Sequence, residues 1–288
     1  MKKLQVAVIG LGKVGSACAM ALLDHGELAL AGIVTHHPPA RDALPGRLRH
    51  FPLVLNVRDL PPVDAALVCV PTEAVAGVAR ELLQSHIAIV ECARLEGQAL
   101  TAHHTQLDDF AHAHRAAAVV GAGWDPGVLP LFTRAFEVLI PRGHHTLHRH
   151  PGVSLHHSAA LAQLAGVKDA LTGEYHGEGN TLQRYVYVEL ERGADFEPLR
   201  AAIQADPLYA GEATQVFQVE NLAEFESGQG IVLERQATQE GAHQSGPHAS
   251  LLLEARFEVA AFAAQVMLDA ARQLPGLRHG AHRYAVSM

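Results

Sequence analysis

VAVIGLGKVGSACAMALL, residues 6–23, decides the fold. Val6 to Ile9 is an uninterrupted apolar run of the kind a buried parallel strand shows, and Lys13 to Leu23 repeats Val14, Cys18, Ala21 and Leu22 at helical spacing. Between them Gly10, Gly12 and Gly15 follow the pattern G-x-G-x-x-G. In that setting Gly10 permits the sharp turn, Gly12 lets the backbone approach a pyrophosphate, and Gly15 lets helix and sheet pack closely. The helix N-terminus at Lys13 and Val14 then turns free N–H groups and partial positive charge toward the anion. The stretch predicts a dinucleotide site on an α/β doubly wound parallel sheet.

The chain has 288 residues, enough for two domains. Charged residues make up 18% and the hydrophobic set 49%, a globular composition. No apolar run approaches the roughly eighteen residues of a membrane span. The opening MKKLQVAVIG carries the nucleotide glycines and no small-residue cleavage site, so no signal peptide is expected. Cys18, Cys69 and Cys92 offer no framework of pairs, which fits a reducing cytoplasm. A formal charge of −8 argues against a nucleic-acid partner, although 20 histidines make the balance depend on pH.

A second apolar run, LALAGIV, ends at Val34, and the residues at its tip choose the cofactor. A carboxylate there would accept the ribose hydroxyls of NAD, whereas this chain has Thr35, His36 and His37, with Arg41 close behind. Nothing there repels a 2′-phosphate, so NADP is expected over NAD. Strand Asp64–Val70 ends at Pro71 and Thr72, which places Val70, Pro71 and Thr72 near the nicotinamide ribose, and Glu73–Gln84 follows as a helix. The run Ile87–Val90 ends at Glu91 on the same rim. Helix Gln98–Ala116 carries AHHTQLDDFAHAHR, read as a solvated face, before strand Ala118–Gly121.

Gly121-Ala-Gly-Trp-Asp-Pro-Gly127 stands where the chain leaves this first domain, taken as residues 1–122. Asp125 reads either as a cap for a helix Val128–Leu139 or as a carboxylate beside the nicotinamide, with Trp124 as a flat wall. Residues 123–256 show β-rich runs at Tyr185–Glu191, Ala213–Val219, Ile231–Gln236 and Ser250–Arg256, with short helices at Ser158–Leu164 and Phe196–Ala205. They predict an α+β domain with a mostly antiparallel sheet. Residues 257–288 supply an apolar helix, Glu258–Leu274, and a tail returning to the first domain. His144, His145, His148, His150, His156 and His157 crowd one region without the spacing of a metal site, and no metal is expected.

GWDPG, the segment HPGVSLHHSAALAQLAGVKDAL, LQRYVYVEL, PHASLLLEA and GAHRYAV together resemble the meso-diaminopimelate dehydrogenase family nearly end to end. The resemblance implies NADP-dependent oxidative deamination of a D-configured amino-acid centre, or its reversal, by a cytoplasmic homodimer serving lysine biosynthesis. It assigns Asp125 to the substrate amine with Trp124 beside it, Arg184 to the distal carboxylate, and His248 and His157 to the substrate. The phosphate clamp falls on Thr35, His36 and His37. Glu91 matches the first of two family acids after the fifth strand, while Arg94 stands near the second and Val259 where an asparagine is expected.

Deamination needs a neutral amine, a hydride acceptor at the α-carbon and a water to attack the resulting iminium. A carboxylate beside the amine can relay the proton and then activate the water. Asp125, with Glu91, is the candidate. Two alternatives stay open: a dehydrogenase for a different amine, and a nucleotide-binding sensor or scaffold without turnover.

Overall fold

A computed structural model of the chain describes residues 3–36, 38–40, 44–149, 161, 164–176, 182–209, 213–222, 230–238 and 249–285. The chain divides into two compact units, Met1–Phe132 with Ala260–Met288, and Thr133–Val259. The turn Gly121–Gly127 therefore lies in the first unit.

The first unit is built on a sheet of β1 (Leu4–Ile9), β2 (Leu28–Val34), β3 (Leu53–Val54), β4 (Ala65–Val68), β5 (Ala88–Glu91), β6 (Ala117–Val120) and, further along the chain, Gly280–Arg283. The spatial order runs from Gly280–Arg283 through β6, β5, β4, β1 and β2 to β3, and every pairing is parallel. Alternation along β1 feeds two cores. Val6 and Val8 pack with Cys18 and Leu22 of α1 (Lys13–Leu23) and with Met267. Ala7 and Ile9 pack with Val75 and Leu83 of α2 (Thr72–Gln84) and Leu107 of α3 (Gly97–Ala113). Side chains two residues apart share a face, so a strand covered on both sides must be apolar throughout. That explains the unbroken run at the N-terminus.

The strand order reverses between β1 and β4, and at that reversal the glycine turn requires its residues. Gly10 has φ +95°, and a Cβ there would meet the Cys69 carbonyl oxygen at 2.4 Å. A Cβ on Gly15 would meet the Gly10 carbonyl oxygen at 2.0 Å. A side chain at Gly10 would push the turn off the end of β4, and one at Gly15 would push α1 off the turn.

In the second unit, α4 (Leu129–Leu139), which begins in the first, leads to β7 (Gly143–Arg149). Then come β8 (Val167–His176), β9 (Leu182–Leu190), α5 (Phe196–Ala205), β10 (Ala213–Gln218), β11 (Gly230–Ala237) and β12 (Ser250–Arg256). Among the described residues these strands form two three-stranded sheets, β10-β9-β8 and β12-β11-β7. Three pairings are antiparallel and β9 with β10 is parallel. Arg235 on β11 is buried, and its Nε and Nη2 donate to the carbonyl oxygens of Ile140 at 2.7 Å and Pro141 at 3.2 Å. The chain returns to the first unit in α6 (Val259–Gln273), and Gly280–Arg283 is β13. Among the described residues no helix is long and apolar enough to cross a membrane.

Among the strands without a counterpart in the sequence expectation are β8, whose VKDALTGEYH pattern is too polar to read alone, and β13, which is held as a partner for β6. The expected helix Ser158–Leu164 lies almost wholly outside the described residues.

Candidate functional site

The carboxyl ends of β1, β2, β4, β5 and β6 share one edge of the first unit's sheet, because all of these strands are parallel. At the end of β1 the Gly10 amide donates to the Val34 carbonyl oxygen at 2.8 Å, and the Cys69 amide donates to that of Ile9 at 2.7 Å. These bonds fix the turn. Gly12 is exposed, and a Cβ built on it meets nothing within 4 Å. The space over it is open, while Gly12 itself opens α1 as the N-cap and Lys13 and Val14 form its first turn. There is no acidic residue in that turn. An open cradle, a helix N-terminus and no opposing carboxylate fit the pyrophosphate of a dinucleotide.

Val70 lies against the glycine turn, its Cγ1 3.3 Å from a Cβ built on Gly10, and Pro71 caps α2, which begins at Thr72. Thr35 follows β2 directly, its amide donating to the Val54 carbonyl oxygen at 3.0 Å, and His36 is exposed. His37 and Arg41 lie outside the described residues.

Beyond β6 the chain is pinned by one buried acid. Glu91 is 0% exposed. Its Oε1 accepts the Gly121 amide at 2.8 Å, its Oε2 accepts the Ala93 amide, and its main-chain carbonyl accepts the Ala122 amide at 2.7 Å. His103 of α3, 8% exposed, brings Nε2 to 3.4 Å from Oε1. Gly121 turns the chain at φ +71°, where a Cβ would meet Pro126 Cγ at 2.8 Å. Trp124 packs edge-on against Phe262, with centroids 5.2 Å apart, and at a tilt to Phe132 at 6.2 Å. Asp125 follows with extended backbone, φ −130° and ψ 120°, joined to Pro126 by a cis peptide.

Asp125 falls in the first turn of a single helical turn, Trp124–Val128, which is kinked at Asp125 and Pro126 and leads into α4 at Leu129. One expectation changes here, and it concerns α3. Its face is not uniformly solvated, because His103 falls on the buried stripe Leu100, His103, Leu107 and Ala111. The stripe has helical spacing, but the surrounding histidines mask it in the sequence. Glu91 is on the expected rim, but its oxygens are directed at backbone amides.

Arg184 lies in the second unit. It is 4% exposed, its Nη1 donates to the Leu208 carbonyl oxygen at 3.1 Å, and its guanidinium carbon lies 5.2 Å from the Tyr209 ring centroid. Arg94 is half-buried, and Val259 opens α6. His157 and His248 lie outside the described residues. Among the described residues no group of three or more His, Cys, Asp or Glu is arranged to hold a metal ion.

Residues 4–91 match the model of an oxidoreductase family described as an NAD-binding Rossmann fold. The chain is 30% identical to the meso-diaminopimelate D-dehydrogenase of Bacteroides fragilis, over 96% of this chain and 92% of that one. It is 25% identical to the enzyme of the same name from Ureibacillus thermosphaericus, over 85% of this chain and 81% of the relative. Among solved structures, the C. glutamicum DAP dehydrogenase in complex with DAP superposes with a TM-score of 0.70 at 20% identity. That match covers 98% of this chain and 93% of the other. An engineered D-amino acid dehydrogenase bound to NADP+ gives 0.72 at 19%, with the same coverage.

Proposed function

From the premise that this chain belongs to the meso-diaminopimelate D-dehydrogenase family, we propose that it oxidatively deaminates a D-configured amino-acid centre with NADP, or runs the reverse reductive amination. The nicotinamide supplies the hydride chemistry, and the protein binds and orients. The residues that would hold the cofactor are Gly10, Gly12, Lys13, Val14 and Gly15 at the pyrophosphate, Thr35, His36 and His37 at the 2′-phosphate, and Val70, Pro71 and Thr72 at the nicotinamide ribose.

Asp125 is assigned the substrate ammonium. Its carboxylate binds the cation, takes a proton so that the neutral amine can release hydride from its carbon, passes that proton to solvent, and, ionised again, draws a proton from the water attacking the iminium. Trp124 walls that position. Glu91 acts through the backbone: by accepting two amides it sets the path from β6 to Asp125, so it is a positioning residue and not a proton relay. Arg184 suits the distal carboxylate because its planar fork pairs with two oxygens, and the Tyr209 ring, its centroid 5.2 Å from the guanidinium carbon, lies beside it. His157 and His248 are assigned to the substrate on the family likeness.

One arrangement supports this reading most. An acid-pinned turn carries Trp124 and Asp125 on the sheet edge that also holds the open Gly12 cradle. Asp125→Asn is the test. It keeps NADPH affinity within about twofold and lowers amine oxidation about 100-fold or more, the range for loss of a positioned acid–base group. Wild-type turnover in that variant contradicts the assignment.

Arg94 and Val259 favour a second substrate within the same chemistry, a D-amino acid without an ammonium at its far end, since neither side chain accepts a hydrogen bond from one. We also read the protein as a cytoplasmic homodimer acting in lysine biosynthesis. The exposed Val138, Leu139, Leu147 and Leu252 of the second unit support association, and the three free cysteines fit a reducing compartment.

A further inference from the structure

Helix α3 buries one imidazole beside the acid that holds the turn after β6. Leu100, Leu107 and Ala111 of its buried stripe pack with Ile89 of β5 and with Ala118 and Val120 of β6. His103 falls on the same stripe and brings Nε2 to 3.4 Å from Glu91 Oε1. That nitrogen is shut off from solvent and makes no hydrogen bond to another group among the described residues. A buried ring nitrogen without a partner is costly on an otherwise apolar stripe, and so is a carboxylate whose lone pairs are only partly used. Glu91 has about four acceptor sites, and the amides of Gly121 and Ala93 take two of them. Each group supplies what the other lacks.

We propose that His103 is a positioning residue for the proposed deamination, its Nε2–H serving as the third donor to Glu91 and so steadying the turn that carries Trp124 and Asp125. The catalytic consequence rests on the reading of Asp125 given above. With the proton on Nδ1 instead, a nitrogen lone pair would face the carboxylate lone pairs, so the geometry selects Nε2–H. The separation is a little beyond the usual N–H···O limit of about 3.2 Å, and a small rotation of the ring closes it. Oε1 also accepts the Gly121 amide at 2.8 Å, and Gly121 is where the chain turns toward Asp125 at φ +71°. The imidazole therefore bears on the same oxygen that holds the turn.

The test uses the full chain carrying isotope-labelled histidine and tryptophan. Trp124 is its single tryptophan, so the indole N–H resonance reports on the turn directly. The histidine spectrum shows a protonated Nε2 in a signal that His103→Gln removes and Glu91→Gln shifts. His103→Leu keeps the bulk and removes the donor. It moves the Trp124 indole signal and lowers kcat about tenfold, the factor expected for a lost hydrogen bond to a charged group, with KM and NADPH affinity within about twofold. His103→Gln, whose amide nitrogen stands the same number of bonds from Cβ as Nε2, restores both. Added to Glu91→Gln, His103→Leu changes neither further. A role in helix packing alone would follow bulk and polarity, and the leucine variant would then match or exceed the glutamine one. The proposal is overturned if Nε2 carries no proton, if Glu91→Gln leaves its signal in place, if His103→Leu leaves the indole signal or kcat as in the parent, or if His103→Gln restores nothing. Should no substrate turn over in the parent, the dehydrogenase reading fails, and the histidine and indole signals still decide whether His103 holds the turn.

Discussion

Glu91 shows how much a single buried acid can organise. A carboxylate without solvent is costly unless its oxygens are filled, and here the amides of Gly121 and Ala93 fill them. Glu91→Gln turns one acceptor into an N–H donor facing an amide donor, so one bond is lost and one buried group is left unsatisfied. The expected cost is about 1–3 kcal/mol, read as a lower thermal midpoint together with a lower kcat. An unchanged midpoint would show that the turn does not depend on the acid. At the other end of the sheet edge, Thr35 stands where an acid would favour NAD. Thr35→Asp shifts the ratio of kcat/KM for NADP over NAD toward NAD by about tenfold or more, the factor that about 1.4 kcal/mol of charge repulsion gives. An unchanged ratio removes Thr35 from the clamp.

At the scale of elements, patterns with one strong period were legible and those that depend on a distant partner were not. Helix Phe196–Ala205 and strand Ser250–Arg256 carry their own amphipathic signal, and both end where the sequence indicates. β8 is polar and is held by β9 along its length, and four-residue β13 is defined by β6, so neither announces itself locally. His103 was hidden for the opposite reason, as one imidazole on the buried stripe of a helix crowded with them. The junction of α1 and β2 gives a pH prediction. His25 Nδ1 accepts the amides of Glu27 at 3.2 Å and Leu28 at 3.0 Å, which requires an unprotonated nitrogen. Burial holds its pKa below the ordinary 6.5, with Arg272 and Lys3 acting in the same direction and Glu27 opposing them. The unfolded chain therefore takes up the proton first, so this contribution is complete above pH 6.5 and is lost as the pH falls through the folded value. His25→Asn keeps an acceptor that does not titrate. Its thermal midpoint should fall less steeply than the parent's below pH 6.5, a difference of about 1 kcal/mol or less. Equal slopes would mean that His25 is not the group responsible.

At the scale of the molecule, the first unit repeats a nucleotide-binding plan that many chemistries share, and a fold of that kind does not choose a reaction. The choice rests on the turn after β6 and on likeness along 96% of the chain to a relative of named activity. The substrate end was the least legible part, because His157 and His248 lie outside the described residues and Arg94 and Val259 depart from the expected acid and amide. The most direct measurement is therefore the appearance of reduced nicotinamide when the purified chain and NADP+ meet meso-diaminopimelate, a panel of D-amino acids, and their L-enantiomers. The account predicts reduction with at least one substrate carrying a D-centre and none with the L-forms. Reduction with L-amino acids alone, or tight NADP+ binding with no turnover across the panel, would contradict it.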